Sequence, residues 1–179
     1  MTQHSIMKRL FYIIPVLVLL VANGCTNHFM TWQDYNDAWY DDFVRNDFGQ
    51  DSAIERTIVF PSGVLAEVYH DGYGAYPKRT VDPVRGYSSQ VNISLEGYLT
   101  DGTNFLIKST TAYYVSDLIN GLQEALCAMR QGSHWKVYVP YSEGYGSDGT
   151  TGSLTSGNFN VPPYSVLIFD VDLLDVTNY

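Results

Sequence analysis

The sequence predicts an α+β fold, on three observations. Alternating hydrophobic segments recur through the second two-thirds of the chain, and helical spacing of apolar residues is confined to two places. The third is composition: 15 Tyr, 15 Gly and 7 Pro in 179 residues favour strands and turns over a helical bundle. A hydrophobic content of 45% with only 16% charged residues excludes a disordered chain. The length suits one domain and is tight for two.

The N-terminus carries an export pattern. Lys8 and Arg9 precede the apolar run Leu10–Ala22, interrupted by Pro15 and too short to span a bilayer but suited to a signal-peptide core. The run ends in Ala22-Asn23-Gly24-Cys25, which resembles the lipobox of bacterial lipoproteins, with Ala22 where Leu is usual and Asn23 where Ala or Ser is usual. The implied organisation is a cleaved segment over 1–24, lipid on Cys25, an anchored N-terminal segment over 25–56 holding one amphipathic helix, and a folded domain over 57–179. Thr26 after the lipid site, rather than Asp, is similar to lipoproteins sorted to the outer membrane. The expected location is therefore the bacterial cell envelope, lipid-anchored, at the outer membrane.

Charge and cysteine usage narrow the function classes. The formal net charge is −9, and loss of Lys8 and Arg9 leaves 8 basic against 19 acidic residues, a net −11. Such a chain repels phosphate backbones, so nucleic acid is not an expected partner. Membrane contact is expected through the lipid alone. With Cys25 lipidated, Cys127 has no disulfide partner, and its apolar helical surroundings mark it as a small buried hydrophobe. His4, His28, His70 and His134 are scattered without ligand spacing, so no metal or other cofactor is expected.

Along the mature chain, Trp32, Tyr35, Trp39 and Phe43 recur at helical spacing, with Thr31 as a cap and Gly49 beyond the end. The aspartates of this stretch lack calcium-loop spacing and read as a solvated face. Strands are predicted at Thr57–Phe60 and Val64–His70, separated by the turn Pro61-Ser62-Gly63, and a loop over 71–89. Val91–Leu99 alternates as a strand into the turn Asp101-Gly102, and Thr111–Val115 is another short strand. Ser116–Met129 reads as the clearest helix, capped by Ser116, with Leu118, Leu122, Ala125, Leu126 and Met129 on one face and Gly132 as a stop. Strands follow at Trp135–Val139 and Val166–Val176, with a Gly/Ser/Thr-rich loop over 147–160 between them.

Five segments in order then resemble the FKBP-type peptidyl-prolyl cis-trans isomerases. They are Pro61-Ser62-Gly63-Val64 through Val68 with Gly72-Tyr73-Gly74 and Pro77; Gly97 through Phe105 around the Asp-Gly turn; and Leu118-Ile119-Asn120-Gly121 with Leu126, Met129 and Gly132. The last two are Trp135 through Pro140 leading to Gly144-Tyr145-Gly146, and Val161-Pro162-Pro163-Tyr164 running on to Leu174. The resemblance implies an antiparallel sheet of five or six strands wrapped around one short helix, 116–129, with a pocket between helix and sheet.

It also implies roles. Phe105 and Phe169 would hold a proline ring, Tyr145 would donate a hydrogen bond to a substrate carbonyl, and the Ile119 backbone N–H would donate another. Leu95, Leu118, Leu122 and Val161 would line the substrate site. An X–Pro bond interconverts slowly, over roughly tens to hundreds of seconds, because amide resonance must be broken. An apolar, water-poor pocket favours the twisted amide over the planar forms without any acid, base or nucleophile. The sequence departs from the family where Leu95 replaces a usual tyrosine, Leu106 a usual acidic residue and Leu122 a frequent tryptophan. Two functions are thus expected: a membrane-tethered prolyl isomerase assisting the folding of exported proline-containing polypeptides, or a non-catalytic binding module on the same fold that holds a protein partner or ligand in the envelope.

Overall fold

The computed structural model describes residues 30–84, 86–152 and 159–178. The expected signal segment 1–24 and Cys25 lie outside them. Residues from Thr31 onward pack as one unit.

Helix α1 (Trp32–Asn46) opens this unit, and its start is fixed by a reciprocal cap. Thr31 Oγ1 accepts from the Asp34 N–H at 3.1 Å while the Asp34 carboxylate accepts from the Thr31 N–H at 3.1 Å. Among the described residues eight strands follow: β1 (Arg56–Val59), β2 (Leu65–His70), β3 (Gln90–Leu99), β4 (Asn104–Tyr114), β5 (His134–Val139), β6 (Thr150–Gly152), β7 (Phe159–Val161) and β8 (Leu167–Thr177). Six form an antiparallel sheet in the order β1-β2-β5-β8-β3-β4, and β6 pairs with β7 as a separate ribbon. Helix α2 (Asn120–Ala128) crosses the inner face against β5. Gly121 allows this approach, because a Cβ there would collide with the Val139 side chain.

Alternation gives each strand two jobs. On β8, Leu167, Phe169, Val171 and Leu173 face the core under α2, joined by Val91, Ile93 and Leu95 of β3 and Trp135, Val137 and Val139 of β5. The opposite parity, Leu65, Tyr138 and Ile168, faces α1 and packs against Trp39, Tyr40, Phe43 and Phe48. Of the helical stripe read from sequence, Trp39 and Phe43 cover the outer face of the sheet, while Trp32 packs against the inner cluster. A buried polar residue locks the helix there: the Asn36 side chain donates to Trp32 O at 2.9 Å and accepts from the Val166 N–H at 2.9 Å and the Thr100 hydroxyl at 3.0 Å. At the other end Tyr40 donates to Gly63 O, and buried Glu67 accepts from the Gly49 N–H at 2.9 Å and the Tyr138 hydroxyl at 2.8 Å.

Two expectations about local structure are corrected. The strand placed at Thr111–Val115 runs from Asn104 to Tyr114, continuing directly from the Asp101-Gly102 turn. Its pairing with β3 shifts register on either side of Gly97, which pushes Ile107 into solvent and erases the alternation that would have marked it. The helix placed at Ser116–Met129 is broken: Val115–Asp117 form a single 3-10 turn, Leu118 and Ile119 are extended, and α2 begins at Asn120 with Ile119, not Ser116, at the cap. The break is held by Gln123, whose side-chain amide donates to Leu118 O at 2.6 Å. Ser116 is engaged elsewhere, its N–H donating to Ser88 Oγ at 3.0 Å. Cys127 is half-buried against the core, and burial pushes its thiol pKa up, which suits packing rather than nucleophilic chemistry.

Candidate active site

The concave side of the sheet gathers the residues that the resemblance assigns to the pocket. Leu95, Phe105, Leu122, Val161 and Phe169 are buried in one cluster, and Leu118, Ile119 and Tyr145 pack against it while remaining partly open to solvent. The first group is closed off from solvent; the second is the part of the cluster that solvent reaches.

The two phenylalanines meet because a glycine stands between them. Gly97 on β3 lies opposite Phe169 on β8, and a Cβ on Gly97 would sit 2.7 Å from the tip of the Phe105 ring. With that space open, Phe105 packs edge-on against Phe169, with ring centroids 5.7 Å apart and planes at 86°. Leu95 and Leu122 are each 3% exposed, and Leu106 packs at the same cluster. The tyrosine and the acidic residue that the resemblance expects at these two positions are thus both replaced by apolar groups. Such a double replacement leaves no orphaned donor or acceptor.

The rim supplies the polar groups. Tyr145 lies in a tightly closed loop in which the Gly144 and Gly146 N–H groups both donate to Tyr141 O, at 3.1 and 2.9 Å. The Tyr164 N–H donates to Gly146 O at 2.9 Å and ties the loop to the corner before β8. Tyr164 adopts φ 59, uncommon for a non-glycine residue, and its ring stands edge-to-face on Tyr141 at 5.3 Å. The Ile119 N–H, at the start of α2, has no hydrogen-bond acceptor among the described residues.

Burial, assisted by the nearby Tyr113 phenol, pushes the Tyr145 phenol pKa up to about 12. Tyr113 is a further aromatic of this cluster, one that the sequence reading did not assign to the site. It sits on β4 opposite Val91, past the register shift, and packs at the same cluster. The signal available was the distance along the hairpin from the Asp-Gly turn, which the irregular pairing obscures.

The raised phenol gives a pH prediction with a definite sign. Burial, with the Glu67 and Asp51 carboxylates nearby, likewise pushes Tyr69 up to about 12, against 10.0 for an unperturbed tyrosine. Below about pH 10 both folded and unfolded states hold the proton. Above it the unfolded chain ionises first, so stability is complete up to about pH 10 and falls progressively toward pH 12. Urea midpoints measured from pH 8 to 12 should be flat and then decline over that window. A midpoint unchanged to pH 12 would contradict the buried environment of these phenols.

The resulting arrangement is an apolar floor of two crossed phenyl rings, a protonated phenol at the rim and a backbone donor at a helix start. A model of the family described as FKBP-type peptidyl-prolyl cis-trans isomerase matches residues 83–174. The chain is 34% identical over 119 residues to the FKBP-type 22 kDa peptidyl-prolyl cis-trans isomerase of Escherichia coli, covering 64% of this chain and 50% of that protein. It is 32% identical over 123 residues to the outer membrane protein MIP of Legionella longbeachae, covering 66% of this chain and 46% of that one. The chain therefore spans about half the length of these relatives. The crystal structure of a peptidyl-prolyl cis-trans isomerase from Pseudomonas syringae superposes with a TM-score of 0.62 at 20% identity, covering 81% of this chain and 92% of that one, a likeness of fold. With the family match extending over half of its length and every strand from β3 to β8 falling within or across it, the chain belongs to the FKBP-type peptidyl-prolyl cis-trans isomerase family.

Proposed function

We propose that the protein is a peptidyl-prolyl cis-trans isomerase, held in the bacterial cell envelope by lipid on Cys25, that acts on proline-containing exported polypeptides. The observation that carries this reading is the crossed Phe105–Phe169 pair beneath a rim holding Tyr145 and the Ile119 N–H. A prolyl ring fits against crossed phenyl rings, and two donors on opposite sides fix the flanking carbonyls. The barrier to rotation, about 18–20 kcal/mol in water, comes from amide resonance. Transfer to an apolar site with few oriented donors favours the less charge-separated twisted amide. The roles of Phe105, Phe169, Tyr145 and Ile119 as the groups contacting the reacting bond, and of Leu95, Leu118, Leu122 and Val161 as lining, belong to this proposal.

The envelope location draws on the signal and lipobox pattern ending in Cys25 and on a relative that is itself an outer membrane protein. A second reading, a binding module without catalysis, is favoured by Leu95 and Leu106, which remove polar character from the pocket wall.

The deciding experiment is NMR exchange spectroscopy of a short Ala-Pro peptide with and without the purified protein. Acceleration of cis–trans exchange is expected, and Tyr145→Phe should lower kcat/KM about three- to tenfold, the value of roughly one neutral hydrogen bond. Absence of acceleration across several X–Pro peptides, from protein shown to be folded, would reject catalysis and leave the binding module.

A further inference from the structure

A cleft of about 330 Å³ is bordered by Phe105, one of the residues assigned to the proline pocket. It is lined by Trp32, Leu99, Phe105 and Pro162, with Asp101, Thr103, Asn104 and Asn160 around the mouth. Phe105 is a shared wall: it packs on Phe169 in the pocket and also borders the cleft.

The opposite walls are held in place by one hydroxyl. The Trp32 indole N–H donates to Ser165 Oγ at 2.9 Å, and that hydroxyl donates to Pro162 O at 2.7 Å. Trp32 is also stacked on Tyr35, with centroids 5.5 Å apart, and its carbonyl accepts from buried Asn36. The indole is therefore positioned before any ligand arrives, which lowers the entropic cost of binding against it. Trp32 comes from α1, outside the family-matched residues 83–174, so this wall is supplied by the chain's own N-terminal helix.

We propose that this cleft is a subsite for the side chain two residues from the target proline, that it selects aromatic and large aliphatic groups, and that Trp32 is its specificity-determining residue. The proposal rests on the isomerase reading above. An extended chain advances about 3.3–3.6 Å per residue, so two residues carry a polypeptide from the proline ring past a phenyl wall. The apolar half of the lining, Trp32, Leu99, Phe105 and Pro162, favours an apolar side chain. Asp101 at the mouth, on a chain of net charge −9, disfavours an acidic one.

The test compares exchange rates for peptides carrying Phe, Ala or Glu two residues before or after the proline. For the wild-type protein, kcat/KM should favour Phe over Ala about tenfold in one of the two positions, the scale of one buried aromatic anchor, with Glu the poorest. In Trp32→Ala, and in Thr103→Trp, which fills the cleft from an exposed turn position, the Phe/Ala ratio should fall to about one. A ratio near one in the wild type, or a preference retained in Thr103→Trp, would overturn the subsite while leaving the isomerase reading intact. If no peptide is isomerised, that reading fails, and the subsite is then decided by binding. The Trp32 indole N–H resonance should shift with the Phe peptide and not with the Ala peptide; no shift would overturn it.

Discussion

Phe169→Ala is expected to cost about 3–5 kcal/mol of stability, the range for truncating a buried phenylalanine, and to remove most of the proposed isomerase activity from the fraction that stays folded. The side chain is 2% exposed, at the centre of the sheet between Val137 on β5 and Gly97 on β3. The cavity cannot be refilled from β3, because Gly97 has no side chain to move into it. Phe105 would lose the ring against which it stands edge-on, so the proline pocket loses its floor and the orientation of its wall together. Urea denaturation reads the first effect, and peptide exchange well below the transition reads the second. Phe169→Leu separates them, because it keeps most of the volume and should cost roughly 1–2 kcal/mol while still weakening catalysis. A loss below about 1 kcal/mol for the alanine variant would contradict the packing described here.

Asn36→Ala should cost about 2–4 kcal/mol, more than a helix residue on a solvated face ever would. The side chain is fully buried and serves three partners. Its removal strands the Val166 N–H in the interior and leaves the Thr100 hydroxyl without its acceptor, and each orphaned buried group costs about 1–3 kcal/mol. The same change frees the first turn of α1, so Trp32 should lose its fixed place beside Ser165. Amide hydrogen exchange checks this directly: protection at Val166 and through Trp32–Phe43 should fall more than protection in β5. Uniform loss across the sheet would mean that α1 and the sheet unfold only as one block. The docking also bears on how fragments behave. A chain beginning at residue 51 would leave Leu65, Tyr138 and Ile168 bare on the outer face.

Much of this architecture was readable from residue pattern because the forces involved are local. Thr31 ahead of the Trp32–Phe43 stripe predicts a capped helix, and Val166–Val176 alternates cleanly enough to place β8 within one residue of its ends. The features that escaped are those in which a distant group overrides a local preference. Ser116-Asp117 looks like a helix start, yet Gln123 reaches back to hold Leu118 and Ile119 extended, moving the start to Asn120 and placing the Ile119 N–H at the rim. Asn36 reads as one more polar residue on an amphipathic helix, and only the assembled sheet gives it Val166 and Thr100 as partners. Trp32 was legible as part of an apolar stripe, but its place beside Phe105 depends on a serine 133 positions away.

The irregular pairing around Gly97 has a consequence for how copies of this protein tolerate crowding. An open sheet presents unpaired backbone at its two margins, and long, flat margins recruit further strands and aggregate. Here one margin is β1, only 4 residues long, and the other is β4, whose two register shifts and exposed Lys108 make it a poor template. The distortion that seats Phe105 against Phe169 also keeps the longer of the two margins from pairing with the edge of another copy.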